Sequence, residues 1–238
     1  MKKSDYTNTL IIVPVFDCEK HLRELLRKIK AVAPEGQILC VNDGSRDNSL
    51  YIIKQNKVKF IDLGRNRGKG YALKIGFLYA KRKGFEFALT MDADLQHDPL
   101  IIPNFIKTQN LFDADLVIGF RNFSFQNMPF ERVFSNTITS SIVSFVSEKA
   151  IFDSQSGFRL YNLNLFDEKE IKTNKYQMET EILLQYIKKG AKISHTEIPV
   201  IYNDEKSHIS HFRDIVNFVK IVLNFVGNAF SRSDFSNY

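Results

Sequence analysis

The chain has 238 residues, 44% hydrophobic and 25% charged, the proportions of a soluble globular protein long enough for a large core. Its formal net charge is +6 and its pI about 9.1, which suits an anionic partner such as a nucleotide, a phosphorylated lipid, a nucleic acid or an anionic membrane surface without choosing among them. Two cysteines, Cys18 and Cys40, are too few for a disulfide framework and point to a reducing cytoplasm, and no run of about 18 apolar residues is present to cross a bilayer.

The opening MKKSDYTNTLIIVPVF has a basic start, but its apolar run is short and interrupted by Pro14. It reads as a first strand over 10–16 and not as a signal segment. Further strands are predicted over 37–42, 59–63, 85–91 and 116–120. Helical patterns lie between them, over 21–33, just after Asp47, over 69–83 and over 100–111. Strand and helix alternating at this spacing predict an α/β fold with a mainly parallel central sheet flanked by helices. Ligands of such sheets bind beyond the carboxyl ends of the strands. Here those ends carry Asp17 and Glu19, Asn42 and Asp43, Arg65 to Lys69, Asp92 to Asp98, and Arg121.

In the second half, Phe130, Val133, Phe134, Thr137, Ile138, Ser141, Ile142, Phe145 and Val146 follow the spacing of one amphipathic helix. DSQSGFRLY reads as a turn, 179–189 as a helix and 193–198 as a strand. A last helix over 211–230 precedes a frayed polar tail, 231–238. No linker or repeat divides the chain, so one domain over 1–238 is expected, with halves about 9–121 and 122–230.

Three stretches carry chemistry. In VNDGSRDNS a strand enters a tight turn before Asp47, a helix N-cap by type. Asp43 at the strand end suits a base edge or ribose, although a plain strand-turn-helix junction reads the same way. LGRNRGKGYALKIGF is neither a P-loop, since Gly64 and Gly68 stand one position too close, nor a dinucleotide fingerprint, since Leu73 replaces the third glycine. It is a basic glycine turn opening a helix, where Arg65, Arg67 and Lys69 favour a phosphate-bearing ligand. In MDADLQHDP, Asp92 and Asp94 are hard oxygen donors at a strand end, suited to Mg²⁺ or Mn²⁺. His97 reads as a supporting loop residue and Asp98 as a helix start beside Pro99.

Taken in order, VPVFDCE, VNDGSRDNS, GRNRGKGYALKIG, MDADLQHDP, IGFR and DSQSGFRLY resemble the family 2 glycosyltransferases of GT-A fold. Within that family they look most like the dolichyl-phosphate mannose synthases and related polyprenyl-phosphate hexose synthases. The likeness spans roughly residues 9–225. It implies a nucleotide-sugar site lined by Pro14, Phe16, Asp17, Asp43, Arg65, Lys69, Asp92 and Ala93. It also implies a Mg²⁺ or Mn²⁺ ion on Asp94 and Gln96, and Arg121, Arg159 and Arg213 near diphosphate or acceptor phosphate. Asp94, Arg121 and Asp153, the last near the sugar, would be the catalytic set. Phe16-Asp17-Cys18 departs from the family's Tyr-Asn-Glu, and Asn42 replaces a common Asp. The Gln-x-x-Arg-Trp motif of processive polysaccharide synthases is absent.

The expected reaction is one in-line displacement, with inversion, of a nucleoside diphosphate from the anomeric carbon. A polyprenyl phosphate acceptor arrives mostly ionised and needs no strong base, whereas a sugar hydroxyl needs a carboxylate. On that ground Glu179 and Glu181 read as a solvated helix face. The wide apolar face of 215–230 suits packing, self-association or an anionic membrane surface, which places the enzyme on the cytoplasmic side of a membrane. The rival readings are transfer to a saccharide hydroxyl of a cell-surface glycan, a nucleotidyltransferase, and a nucleic-acid-binding module. The nucleotidyltransferase would want a glycine loop after the first strand, and the nucleic-acid module leaves the strand-end aspartates unexplained.

Overall fold

The structure is a computed structural model and describes residues 7–122, 130–173 and 177–201, together with positions 218 and 222. The elements run β1 (Thr9–Val15), α1 (Glu19–Val32), β2 (Ile38–Asn42), α2 (Ser49–Gln55), β3 (Lys59–Asp62), α3 (Lys69–Arg82), β4 (Phe87–Thr90) and α4 (Ile102–Phe112). They continue with β5 (Leu116–Arg121), α5 (Phe130–Ser147), β6 (Arg159–Asn162), α6 (Gln177–Lys188) and β7 (Ile193–Ile198). The seven strands form one sheet in the order β3-β2-β1-β4-β6-β5-β7.

Alternation sorts each strand between two cores. On β1, Leu10 and Ile12 face a cluster that includes Ala72, Leu73 and Phe77 of α3 and Ile182, Leu183 and Tyr186 of α6. Ile11, Val13 and Val15 face the opposite cluster, with Leu22, Leu25, Leu26 and Ile29 of α1 and Phe105 of α4. Both faces are covered, so the strands read as unbroken apolar runs. Helix α3 lies very close to β1, because a Cβ on Gly76 would stand 2.6 Å from Ile12 Cγ2. Glycine is the residue that permits this approach.

One expectation changes, and one that was left open is decided. DSQSGFRLY is not only a turn, since its end forms β6, antiparallel to both β4 and β5, with Arg159 opposite Thr90 and Ile118. Four residues are too few to show a period of two, so only the pairing partners reveal the strand. Helix α5, whose inward face the spacing left open, packs Ile142 and Val146 against the core together with a polar stripe. Asn136, Thr139, Ser140 and Val143 are buried, while Thr137, Ser141, Ile138 and Phe145 point outward, the last two 38% and 86% exposed. The polar stripe turns inward because loop 151–155 offers it hydrogen bonds: Ser140 Oγ meets Ser154 N and Oγ, and Ser144 Oγ meets Ile151 N. The helix and tail expected over 211–238 lie outside the described residues apart from Phe218 and Val222, both buried.

Strand order reverses between β1 and β4, so the crevice for a ligand opens beyond their carboxyl ends. There the chain places Phe16 and Asp17 after β1, Asp43 after β2 and Asp92 after β4.

Candidate active site

The first loops are stitched together by side chains. Asp17, at φ 49°, accepts from Arg46 N at 2.7 Å, and its own N–H donates to Ser45 Oγ. Asp47 bridges Glu19 N and Ser49 N, each at 2.9 Å. Asn42 is buried and holds Asp62 and Ser45. Pro14 is half-buried and Phe16 is 41% exposed at the mouth. Asp43 has a different task from the one expected. It is only 2% exposed, and its carboxylate accepts from the backbone N–H groups of Arg67 at 2.7 Å and Gly68 at 2.8 Å. It therefore fixes the basic glycine turn. Gly44, at φ +72°, lets the two turns touch, since a Cβ there would lie 2.5 Å from the Arg65 backbone. Arg65 is exposed, and Arg67 lies over the Tyr71 ring, 4.9 Å from its centroid.

Deeper in the crevice, Lys69 Nζ stands 2.6 Å from Asp92 Oδ1 and 3.1 Å from Glu179 Oε2. Burial alone would favour a neutral amine, but the two acids outweigh it and raise the Lys69 pKa. Burial likewise works against the Asp92 carboxylate, and Lys69 overcomes it and holds that pKa below the ordinary range. Lys69, expected on a donor phosphate, thus neutralises two acids here. The Asp92 N–H donates to His97 Nδ1 at 3.4 Å, and the His97 ring stacks on Phe158. Asp94 Oδ1 accepts from Gln96 N at 3.0 Å, a short turn that carries Leu95 at φ 60°. Asp98 caps Leu100 N, the helix start expected of it. Ala93, expected beside the nucleotide-sugar, is 4% exposed and packs in the apolar core.

Asp153 is fully buried. It takes Arg121 Nε at 2.8 Å and Nη2 at 3.1 Å in a forked pair, and also accepts from Asn136 Nδ2 and Gln155 N. The enclosed carboxylate holds the Arg121 guanidinium in place. Arg159 is also fully buried, with its amino groups on the carbonyls of Glu179 at 3.0 Å and Ser154 at 2.6 Å. It braces β6 against α6. Arg213 lies outside the described residues. Glu181 accepts from Lys172 N, Thr173 N and Thr173 Oγ1, so it ties the 172–173 loop to α6 and is not the solvated helix face expected. Glu179 is the residue that sequence reasoning missed, because its partner Lys69 is distant in the chain and helix periodicity is silent about it.

Burial lowers His97 and His195 to about 4 each, below the unfolded value of about 6.5. The fold prefers both rings neutral, so this contribution is complete above pH 6.5 and is lost as pH falls towards 4. At pH 5 the loss is expected to be about 1–2 kcal/mol per histidine. Urea unfolding at pH 7 and pH 5 measures it, and His195→Gln should flatten the slope. A stability independent of pH over that window would show that both rings titrate in the fold as they do in the unfolded chain.

A mainly parallel sheet with a crevice of acids and arginines at its switch point defines a glycosyltransferase of GT-A fold. The chain matches the model of the glycosyl transferase family 2 over residues 10–169, and it belongs to that family. It is 24% identical to the polyprenol monophosphomannose synthase of Mycolicibacterium smegmatis, over 85% of this chain and 80% of that protein. It is 27% identical to the UDP-N-acetylglucosamine–dolichyl-phosphate N-acetylglucosaminyltransferase of Methanococcus voltae, over 82% of this chain and 86% of that one. The fold is similar to glucosyl-3-phosphoglycerate synthase from Mycobacterium tuberculosis, solved with Mn²⁺, UDP-glucose and phosphoglyceric acid. That likeness has a TM-score of 0.75 at 13% identity, covering 94% of this chain and 82% of that one.

Proposed function

We propose that the enzyme transfers a hexose from a GDP- or UDP-sugar to a polyprenyl phosphate at the cytoplasmic face of a membrane. The observation that carries this reading is the forked Arg121–Asp153 pair. It presents a fixed cation for a phosphate, and it occupies the carboxylate that a hydroxyl acceptor would need as base. The two relatives named for polyprenol and dolichyl-phosphate chemistry support the same acceptor class.

The acceptor phosphate oxygen attacks the anomeric carbon as the bond to the nucleoside diphosphate breaks, inverting the centre. The bonding electrons leave on the diphosphate. The N-terminus of α3 and the Arg65–Arg67 turn oppose that charge. Arg121 orients the incoming phosphate and Asp153 keeps the guanidinium in place. Asp94 and Gln96, with Asp92 behind them, are hard oxygen donors that fit Mg²⁺ or Mn²⁺. Few carboxylates plus diphosphate oxygens are the coordination Mg²⁺ prefers. Such an ion, when bound, stabilises the leaving group.

Among the described residues no helix is long and apolar enough to cross a membrane. Surface contact is instead assigned to the outward stripe of α5, with Ile138 and Phe145 on one face. Phe145→Glu is expected to weaken binding to anionic vesicles about 10- to 100-fold, since a buried Phe contributes about 1.5–3 kcal/mol. Unchanged sedimentation with vesicles would remove that face from the reading.

The test of the reaction is to incubate the pure enzyme with Mn²⁺ or Mg²⁺, a panel of GDP- and UDP-sugars and a short polyprenyl phosphate. Labelled sugar passing into organic solvent supports the proposal. Turnover with saccharide acceptors alone would overturn it.

A further inference from the structure

We propose that Asn136 is a positioning residue for the acceptor phosphate, acting through Asp153 on the Arg121 guanidinium; the inference rests on the acceptor reading above. Arg121 is placed by β5, but its partner Asp153 sits in 151–155, a stretch without helix or strand. The sheet therefore does not fix the carboxylate. Helix α5 does, through three side chains spaced one turn apart. Asn136 Nδ2 donates to Asp153 Oδ1 at 3.0 Å, Ser140 Oγ accepts from Ser154 N at 2.9 Å, and Ser144 Oγ accepts from Ile151 N at 2.9 Å.

These contacts differ in what they hold. Ser140 and Ser144 grip backbone, whereas Asn136 is the one of the three that touches the charged group. Asp153 Oδ2 takes Arg121 Nε, while Oδ1 is shared by Arg121 Nη2, Asn136 Nδ2 and Gln155 N. A fork of two parallel hydrogen bonds brings carboxylate and guanidinium into one plane. The group that sets the carboxylate plane thus sets how the cation faces the crevice. A carboxylate only accepts, so the amide NH₂ has to face Asp153. Ser140 Oγ stands 3.4 Å from Asn136 Oδ1 and secures the other end of the amide.

As packing alone the arrangement is costly. Asn136, Thr139, Ser140 and Ser154 are all buried, and apolar side chains would fill the same space without requiring matched partners. A satisfied buried polar network is instead suited to selecting one geometry. Here the selected group reaches the crevice, since the Arg121 side chain is 21% exposed while Asp153 is sealed beneath it.

Steady-state transfer to a short polyprenyl phosphate, read as acceptor KM against kcat, tests the assignment. Asn136→Ala is expected to raise that KM about tenfold, the lower end of the range for a hydrogen bond to a charged group. Its kcat and its calorimetric affinity for nucleoside diphosphate should stay within about threefold of wild type. Ser140→Ala, which keeps the amide but frees its rotation, should raise the same KM about threefold. Ser144→Ala is the control for loop packing. It loosens the loop at Ile151 without touching Asp153, so the urea midpoint should fall and the KM should not move. Asn136→Asp sets a second carboxylate against Oδ1, and two such acids come to share a proton as pH falls. The shared proton restores a donor. The KM of this variant relative to wild type should therefore shrink from about pH 8 to about pH 6, while the ratio for Asn136→Ala stays flat. A wild-type KM in Asn136→Ala, or an equal rise in Ser144→Ala, would overturn the assignment and leave the stripe as helix–loop packing. No transfer to polyprenyl phosphate by wild type would bring down the acceptor reading itself, and the assignment with it.

Discussion

Asp94→Ala is expected to lower transfer about 10²- to 10³-fold, the range for removing one group that stabilises charge in a transition state. Stability should hardly change. The side chain is half-buried, and its bond to Gln96 N closes a short surface turn of a kind that contributes about 1 kcal/mol. The same variant should lose any dependence of nucleotide binding on Mn²⁺, whereas binding without the ion should persist. That separation distinguishes an ion-holding residue from one that merely shapes the loop. Full activity in the alanine variant would remove Asp94 and Gln96 from the metal role.

Asp153→Asn is expected to damage stability and activity together. Every group facing the carboxylate is a donor: Arg121 Nε, Nη2 and N, Asn136 Nδ2 and Gln155 N. An amide NH₂ has nothing to donate to there, and Arg121 loses its charged partner. Breaking a buried pair by removing one member costs about 3–5 kcal/mol, so the urea midpoint should fall clearly. Among surviving folded molecules, KM for the phosphate acceptor should rise, because the guanidinium is no longer fixed. Arg121→Lys should mimic the kinetic defect, since an ammonium does not reproduce the fork. A variant as stable as wild type, inactive and without the basic limb of its pH–rate profile, would instead mark Asp153 as a general base.

Much of this was legible before any coordinates. Strands β1 to β5 and β7 lie within a residue or two of their predicted places, because each is a short apolar run bounded by turn residues, and β7 coincides with 193–198. The helices follow the apolar spacing, with α1 burying Leu22, Leu25, Leu26 and Ile29. The order of acids and bases at the strand ends pointed to the crevice, since a parallel sheet collects those ends on one edge.

The roles of individual side chains were decided elsewhere. Composition and spacing make Lys69 and Arg159 equally good phosphate ligands, yet one bridges two acids and the other is sealed under α6. Packing encloses Asp153 around Arg121, and Glu179 looked like a solvated helix face until α6 brought it to Lys69. The stripe on α5 was found, but not which of its faces turns inward. Amphipathicity shows that a helix has two faces, whereas the hydrogen bonds waiting in loop 151–155 determine which one turns inward. Sequence alone therefore determined the sheet, its functional edge and the chemistry gathered there. Tertiary structure decided which of those charges face one another and which are left for a ligand, because pairing depends on contacts between residues far apart in the chain.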